Sequence, residues 1–382
     1  MAIIGAGMTR FGKHEGRSLL NLMIEASLEA LRSSRVEKLD GLVVGAMSPE
    51  NYEGRLGVAN TLAGYLGLEG ALVMRTENTS GSGGSALCAG WLMVASGMAE
   101  LVMVVGGEKM THLSTQENAT IIAGLTHDYE RRVGVTLPSY AALLARYYLH
   151  VHKAPREALA YVAIKNHYNG SLNPKAHFQK RITLEEYFSS KIVADPLRVM
   201  DYTPISDGAA AVILAPLELA LSYTSKPVVV KSVAGATDTH VVHEREDLLD
   251  LRAVRLSTEL ALRRAGLSLR DVGLVELHDM ATILELVELE SMGFFPRGES
   301  WKATMEGVTA LDGDLPINSS GGLKSKGHPI GATGVAQAYE IFLQLRREAG
   351  ERQVKRDVEV AISMSMGGFG NNAYTLVYEV GW

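Results

Sequence analysis

Residues 317–334 read INSSGGLKSKGHPIGATG, and residues 77–87 read ENTSGSGGSAL. Each glycine- and serine-rich run opens a stretch of small residues that reads as a helix, Ala86–Gly97 in the first case and Val335–Arg347 in the second. Each helix then feeds a short apolar run, Glu100–Gly106 (ELVMVVG) and Asp357–Ser365 (DVEVAISMS). Upstream of the two loops the pattern also repeats: residues 36–47 (VEKLDGLVVGAM) and 269–280 (LRDVGLVELHDM) each run from polar residues into a buried strand. Short apolar runs alternating with helical segments indicate an α/β layer with buried strands. The duplication predicts two similar α/β halves. Their special loops should meet at one cleft, because strand ends and helix N-termini are where such folds bind ligands.

Between the halves, residues 108–195 differ in character, being richer in His, Tyr, Arg and Lys. They read as an inserted, mostly helical excursion over the cleft, with a polar, loop-like tail at 175–196. The organisation expected is an N-terminal half from 1–107 and 196–222, the insertion at 108–195, and a C-terminal half at 223–382.

Composition narrows the function. The 382 residues are 47% hydrophobic and 21% charged, ordinary for a globular chain of two or three packed units. A net charge of −6 with no long basic run argues against nucleic acid or an anionic membrane as main partner. One cysteine, Cys88, excludes an internal disulfide and a cysteine-rich zinc site. The N-terminus lacks a signal-peptide pattern, and no apolar run reaches the roughly 20 residues needed to span a bilayer. A cytoplasmic protein is expected. Gly5-Ala6-Gly7 follows a short strand but no full dinucleotide fingerprint follows it. His240 and His243 in THVVHERED read as a solvated loop, so no metal site is expected. His150 and His152, beside Tyr147 and Tyr148, read as amphipathic surface.

Taken together, GAGMTRFGK (5–13), ENTSGSGGSAL (77–87), KNHYNGSLNPKA (165–176), VADPLRVMDYTPISDGAAAVIL (193–214), ELHDM (276–280), INSSGGLKSKGHPIGATG (317–334) and SMGGFG (365–370) resemble the thiolase superfamily, of the archaeal and sterol-carrier-protein-linked type, over the whole chain. The resemblance implies two βαβαβαββ halves stacked as a five-layer α/β/α/β/α sandwich with an inserted loop domain. It implies an acyl-CoA substrate with coenzyme A as substrate or product, no permanently bound cofactor, a homodimer or homotetramer, and a partner protein carrying a zinc ribbon and an OB-type barrel.

By the same resemblance Ser80 occupies the position of the nucleophilic cysteine. Three readings stay open: a serine nucleophile, a helix cap or turn residue without chemistry, and a deliberate Cys-to-Ser replacement. Cys88 lies eight residues further on, about 12 Å along a helix, and reads as a core thiol. His328 matches the histidine that activates the nucleophile, and His278 the histidine lining the oxyanion hole. The pattern departs after Asp279, where Met280 stands in place of a cysteine acid/base and Ala281 in place of phenylalanine. In the last loop Met364 aligns with a second catalytic cysteine, and the Gly368 N–H is a candidate oxyanion donor. Tyr202 stands at a usual cysteine and is expected to be buried. Lys324, Lys326, Arg131 and Arg132 are candidates for the coenzyme A phosphates.

Three functions compete. An acyl-CoA acyltransferase of acetyl-CoA acetyltransferase or 3-ketoacyl-CoA thiolase type is the family-level assignment, altered by Ser80. A cysteine-less lyase, a retro-aldolase or decarboxylase on a CoA ester, needs only a base and an oxyanion hole. A non-catalytic CoA-binding subunit would bind without turnover.

Overall fold

In the strand Val102–Glu108, Val102 and Val104 pack into one apolar cluster while Met103 and Val105 pack into another, and all four are fully buried. A strand covered on both faces belongs inside a layered α/β structure. The computed structural model describes residues 1–382 and contains eleven strands. They are β1 (Ala2–Met8), β2 (Gly41–Gly45), β3 (Leu72–Thr76), β4 (Val102–Glu108), β5 (Ile192–Ala194), β6 (Leu197–Arg198), β7 (Gly208–Ala215), β8 (Val228–Thr237), β9 (Leu274–Glu276), β10 (Val360–Gly367) and β11 (Asn372–Val380).

Nine of them run in the order β3-β2-β4-β7-β1-β8-β11-β10-β9. The order is nearly symmetric about the β1–β8 junction, where only Ala2–Val229 and Ile3–Val228 pair. On either side two antiparallel pairs lead to a parallel one: β1/β7, β7/β4 and β4/β2 on the N-terminal side, β8/β11, β11/β10 and β10/β9 on the other. The counterpart of β3 shrinks to a single parallel bridge, Val275–Ile317. The duplication read from the sequence is therefore a duplication of sheet topology.

The layers follow from which face each residue presents. Helix Leu19–Ser34 covers the outer face of the N-terminal strands. Its approach requires Gly5 and Gly7: a Cβ at Gly7 would lie 2.3 Å from the Ala26 carbonyl oxygen. The GAG run is thus a packing site for this helix, not a phosphate loop. Helices Arg252–Ala265 and Thr282–Met292 cover the outer face of the C-terminal strands. Helices Ser82–Ala95 and Thr333–Leu345 lie between the two sets of strands. The result is the five-layer α/β/α/β/α sandwich of the thiolase fold.

Both central helices start earlier than their composition suggests, at Ser82 and Thr333. Glycine and serine there read as loop, but close packing outweighs their low helix propensity. The two N-terminal ends touch: a Cβ at Gly334 would lie 2.3 Å from the Gly84 nitrogen, and one at Gly83 2.7 Å from the Gly334 nitrogen. Between β4 and β7 the chain forms helices Thr115–Ala123, Asp128–Arg132, Leu137–His152, Glu157–Ser171 and Leu184–Ser189, then the β5–β6 hairpin. The stretch expected to be loop-like thus contains a capped helix, with Thr183 and Glu186 forming a capping box.

Replacing Gly334 by Ala should lower the unfolding free energy by about 1–3 kcal/mol, because the added methyl must push two helix backbones apart. Gly64, in helix Val58–Tyr65 with nothing within 4 Å of a Cβ, is the control, and Gly64→Ala should be neutral or stabilising. Denaturant midpoints compare the two; equal midpoints would refute the close-contact account.

Candidate active site

Three loops are brought to the junction of the central helices. The first is Asn78–Gly81. Thr79 takes a left-handed conformation, φ 54°, and turns the chain into the helix. The turn is locked by Ser82, whose Oγ accepts from the Asn78 N–H at 3.0 Å and donates to the Thr79 carbonyl at 2.6 Å. Gly81 is the cap residue, and no side chain caps this helix. Ser80 is 4% exposed and takes no part in these contacts. Gly81, not Ser80, therefore holds the cap position, and Ser82 locks the turn.

The second loop follows β10. Gly367 abuts the first: a Cβ there would lie 2.4 Å from Thr79 Oγ1 and 2.5 Å from the Asn78 carbonyl. Gly368 has φ 62°, and Asn371 Oδ1 accepts the Phe369 N–H at 2.9 Å, closing the turn. Strand alternation settles which neighbour faces the site. Met364 points into the outer core with Ile362 and Met366. Ser365 points the other way, toward Gly84 of the central helix, and its buried Oγ has no hydrogen-bond partner. The alignment of Met364 with a site residue is thus off by one, and the inward-facing residue is Ser365.

The third loop carries His328. Its Nδ1 lies 2.6 Å from Thr333 Oγ1, and that hydroxyl also reaches the Pro329 carbonyl at 3.2 Å. With the hydroxyl proton directed to Pro329, Nδ1 carries the imidazole hydrogen and Nε2 keeps its lone pair. His278 follows β9 and stands edge-on to His328, ring centroids 5.0 Å apart and planes at 89°. Both His278 ring nitrogens are buried without a partner. An open buried donor or acceptor costs about 1–3 kcal/mol, and here the imidazole supplies one of each. Both rings are neutral. Burial, then the neighbouring Lys326, pushes His328 down to about 3. Burial, then His328 and Lys326, pushes His278 well below the ordinary histidine range.

Behind His278 lies a set of buried carboxyls that sequence reasoning missed. Glu288 accepts the His278 backbone N–H at 3.0 Å. Asp279 accepts from the Leu323 N–H at 2.7 Å and from Asn166 Nδ2 at 2.8 Å. Glu285 accepts from Asn166 Nδ2 at 2.9 Å and Asn318 Nδ2 at 2.7 Å, and pairs with Lys165 at 3.0 Å. Burial, then the charge of Glu285, raises Asp279 to about 8. Burial, then Asp279, raises Glu288 well above the ordinary range. The apolar spacing of TILELVELE reads as a core helix, so its inward acids carried no signal; the KN pair at 165–166 was the available one.

Lys324 and Lys326 are not phosphate contacts. Both are 1% exposed. Lys324 lies 5.5 Å over the Phe178 ring, and burial brings its ammonium down to about 8. Lys326 Nζ stands 3.7 Å from Glu276 Oε2 with no hydrogen-bond partner. Folding the GGLKSK segment into the helix Gly322–Lys326, packed against helix Glu157–Ser171 of the insertion, turns both chains inward. Arg131 and Arg132 remain exposed on helix Asp128–Arg132, with Arg131 paired to Asp128 at 2.8 Å. Cys88 is packed against the central cluster, its thiol raised by burial. Tyr202 is half-buried and donates to the Pro138 carbonyl. His243 pairs with Glu130 at 2.8 Å. His152 is half-buried and stacks edge-on with Tyr148, its Nε2 without a partner, while His150 is exposed.

Family models of the thiolase N-terminal domain and of a thiolase C-terminal domain-like region match residues 1–218 and 234–380. The chain belongs to the thiolase family. It is 40% identical to the acetyl-CoA acetyltransferase of Methanothermobacter thermautotrophicus, covering 99% of each chain. It is 35% identical to that of Methanocaldococcus jannaschii, over 97% of this chain and 96% of the relative. Rabbit (Oryctolagus cuniculus) sterol carrier protein 2 is 31% identical, over 100% of this chain and 72% of the relative. Among solved structures, the Ltp2–ChsH2(DUF35) aldolase superposes with a TM-score of 0.84 at 26% identity, covering 100% of this chain and 97% of that one. Human mitochondrial 3-ketoacyl-CoA thiolase shares the fold, with a TM-score of 0.74 at 18% identity over 99% and 98%.

The histidines make stability depend on pH. His328 takes up its proton near 3 when folded and near 6.5 when unfolded. Between these values the unfolded state binds more protons, so this contribution is full above about 6.5 and is lost as pH falls below it. His328→Asn should flatten the fall in denaturation free energy between pH 7 and pH 5. An unchanged slope would place its folded titration elsewhere.

Proposed function

We propose that this thiolase-family chain transfers acyl groups to or from coenzyme A, in the manner of an acetyl-CoA acetyltransferase, with Ser80 at the point of attack. The observation that carries this reading is the neutral, orthogonal pair His278–His328 beside the Ser80 loop, with both His278 nitrogens open and His328 held through its Nδ1. In this reading His328 Nε2 takes the proton of the attacking group. His278 and the Gly368 N–H donate to the thioester oxygen as it gains charge. Arg131 and Arg132, on the exposed rim, are the remaining candidates for the coenzyme A phosphates.

The weakness of the site is its nucleophile. An imidazole protonating near 3 is a poor base for a serine hydroxyl, whereas a thiol gives up its proton far more readily. A second reading follows. Retro-aldol cleavage of a CoA ester requires a base and an oxyanion hole but no acyl-enzyme, and it is favoured by the likeness to the Ltp2–ChsH2(DUF35) aldolase. The same likeness, to a structure whose name couples Ltp2 with ChsH2(DUF35), supports a partner protein.

A homo-oligomer is supported by β3. It ends the sheet with a free edge, and Leu56, Tyr65, Met74, Leu92 and Met98 are exposed large apolar residues of the same half. A cytoplasmic location fits a chain in which no helix is long and apolar enough to cross a membrane.

Intact-protein mass spectrometry after incubation with acetyl-CoA tests the main reading. Ser80→Cys should acquire an acetyl adduct at least about 100-fold faster than the serine form, as a thiolate replaces a hydroxyl. An adduct on neither form would reject acyl transfer. If the serine form instead cleaves a β-hydroxyacyl-CoA without free coenzyme A, and Ser80→Ala does so equally well, the lyase reading stands.

A further inference from the structure

Glu108 ends β4 and is fully buried, yet no cation pairs with it. Its Oε2 accepts from the Met47 N–H at 2.8 Å and the Gly331 N–H at 3.1 Å, and its Oε1 lies 3.3 Å from the Ser48 nitrogen. Met47 and Ser48 follow β2 in the N-terminal half. Gly331 lies three residues after His328, in the C-terminal half. One carboxylate therefore ties the histidine loop to the strand ends of the opposite half.

The loop is wedged at the same place. A Cβ at Gly331 would lie 2.6 Å from the carbonyl oxygens of both Gly45 and Gly107, so the segment Ile330–Ala332 sits directly on the ends of β2 and β4. Steric contact sets how near the loop can come. Burial of Ile330 against Met47, Tyr52 and Met110 opposes its leaving, and a directional bond fixes its orientation. Glu108 supplies the hydrogen bond from a side chain of the N-terminal half to the loop, 223 residues away in sequence. Glu108 touches neither His328 nor Ser80; it acts through the backbone.

We propose that Glu108 is a positioning residue: its carboxylate, anchored on Met47 and Ser48, fixes the Pro329–Ala332 turn and through it the direction of His328 Nε2.

The buried carboxylate is also shifted into the neutral range. Burial, opposed by the Met47, Ser48 and Gly331 N–H donors, raises it to about 7. The charged and titratable groups facing it are Tyr52 and Arg75. The Tyr52 phenol is itself raised by burial and then by Glu108. Arg75 is bound to the Ala46 and Met47 carbonyls and paired with Glu50. Protonating Glu108 would set an O–H against N–H donors and loosen the turn, so the loop should tighten as pH rises through neutrality.

Hydrogen exchange and kinetics together test this. The activity arm rests on the proposed role of His328; the exchange arm does not. In Glu108→Ala, amides of residues 329–335 should exchange at least 10-fold faster, with protection in β2, β4 and β10 unchanged. In the Ser80→Cys background kcat should fall at least 10-fold at constant KM. Glu108→Gln keeps one carbonyl oxygen for Met47 and Gly331 but cannot ionise. It should retain most of the loop protection and lose the pH dependence of exchange that the parent shows between pH 6 and pH 8. Unchanged loop exchange in Glu108→Ala would overturn the proposal, as would faster exchange spread evenly over the whole chain. If Glu108→Ala does not fold, a parent-like pH dependence in Glu108→Gln overturns it alone. Faster loop exchange with unaltered kcat would overturn the link to His328 while leaving the clamp.

Discussion

Two helix N-termini meet with no side chain between them, and the rest of the active region depends on that contact. Gly83, Gly84 and Gly334 allow the backbones of helices Ser82–Ala95 and Thr333–Leu345 to touch where each helix begins. The loop before the first helix carries Ser80, and the loop before the second carries His328. A contact that excludes side chains thus brings together residues separated by most of the chain. It also explains why both halves need a glycine-rich loop at the same topological point: each supplies one side of a single crossing.

Around this crossing, position is set mainly by uncharged or unpaired groups. His278 and His328 are neutral, Asp279 and Glu288 are raised toward their acid forms, and Glu108 has no cation. Burying an ion costs several kcal/mol unless it is well paired, and this site meets that cost mostly by protonation and backbone hydrogen bonds. The exceptions nearest the histidines are Lys165 on Glu285 and Lys326 near Glu276, and beyond Glu108 the pair Lys109–Asp207. An interior of this kind leaves the field at the two imidazoles to be set by few charges, of which Lys326 is the one that acts on both.

What the sequence revealed and concealed divides along physical lines. The two-half organisation was legible because the order of loop, helix and strand repeats along the chain, while the five-layer sandwich and the two histidines followed from the resemblance of seven stretches to the thiolases. Met364 was misassigned in favour of Ser365 because side chains alternate along a strand, so an error of one residue reverses the face. Lys324 and Lys326 looked like surface charges because short-range pattern cannot show that GGLKSK folds into a helix buried under the insertion. The network behind His278 was hidden for the opposite reason: the acids of TILELVELE look solvated, while Glu285, Glu288 and Glu290 are buried. Composition reports average behaviour, and active sites are where side chains depart from it.

The serine then takes on a definite meaning. A site built to ionise serine needs a base of ordinary basicity oriented by a further acceptor. Here His328 is oriented by a threonine hydroxyl, not a carboxylate, and burial beside Lys326 removes most of its basicity. That environment disfavours charge on the imidazole and so suits a nucleophile whose own proton leaves easily, or a step in which the imidazole only receives and returns a proton from carbon or oxygen of the substrate. The surroundings of Ser80 therefore suit a thiol, or chemistry without an acyl-enzyme, better than they suit a serine hydroxyl.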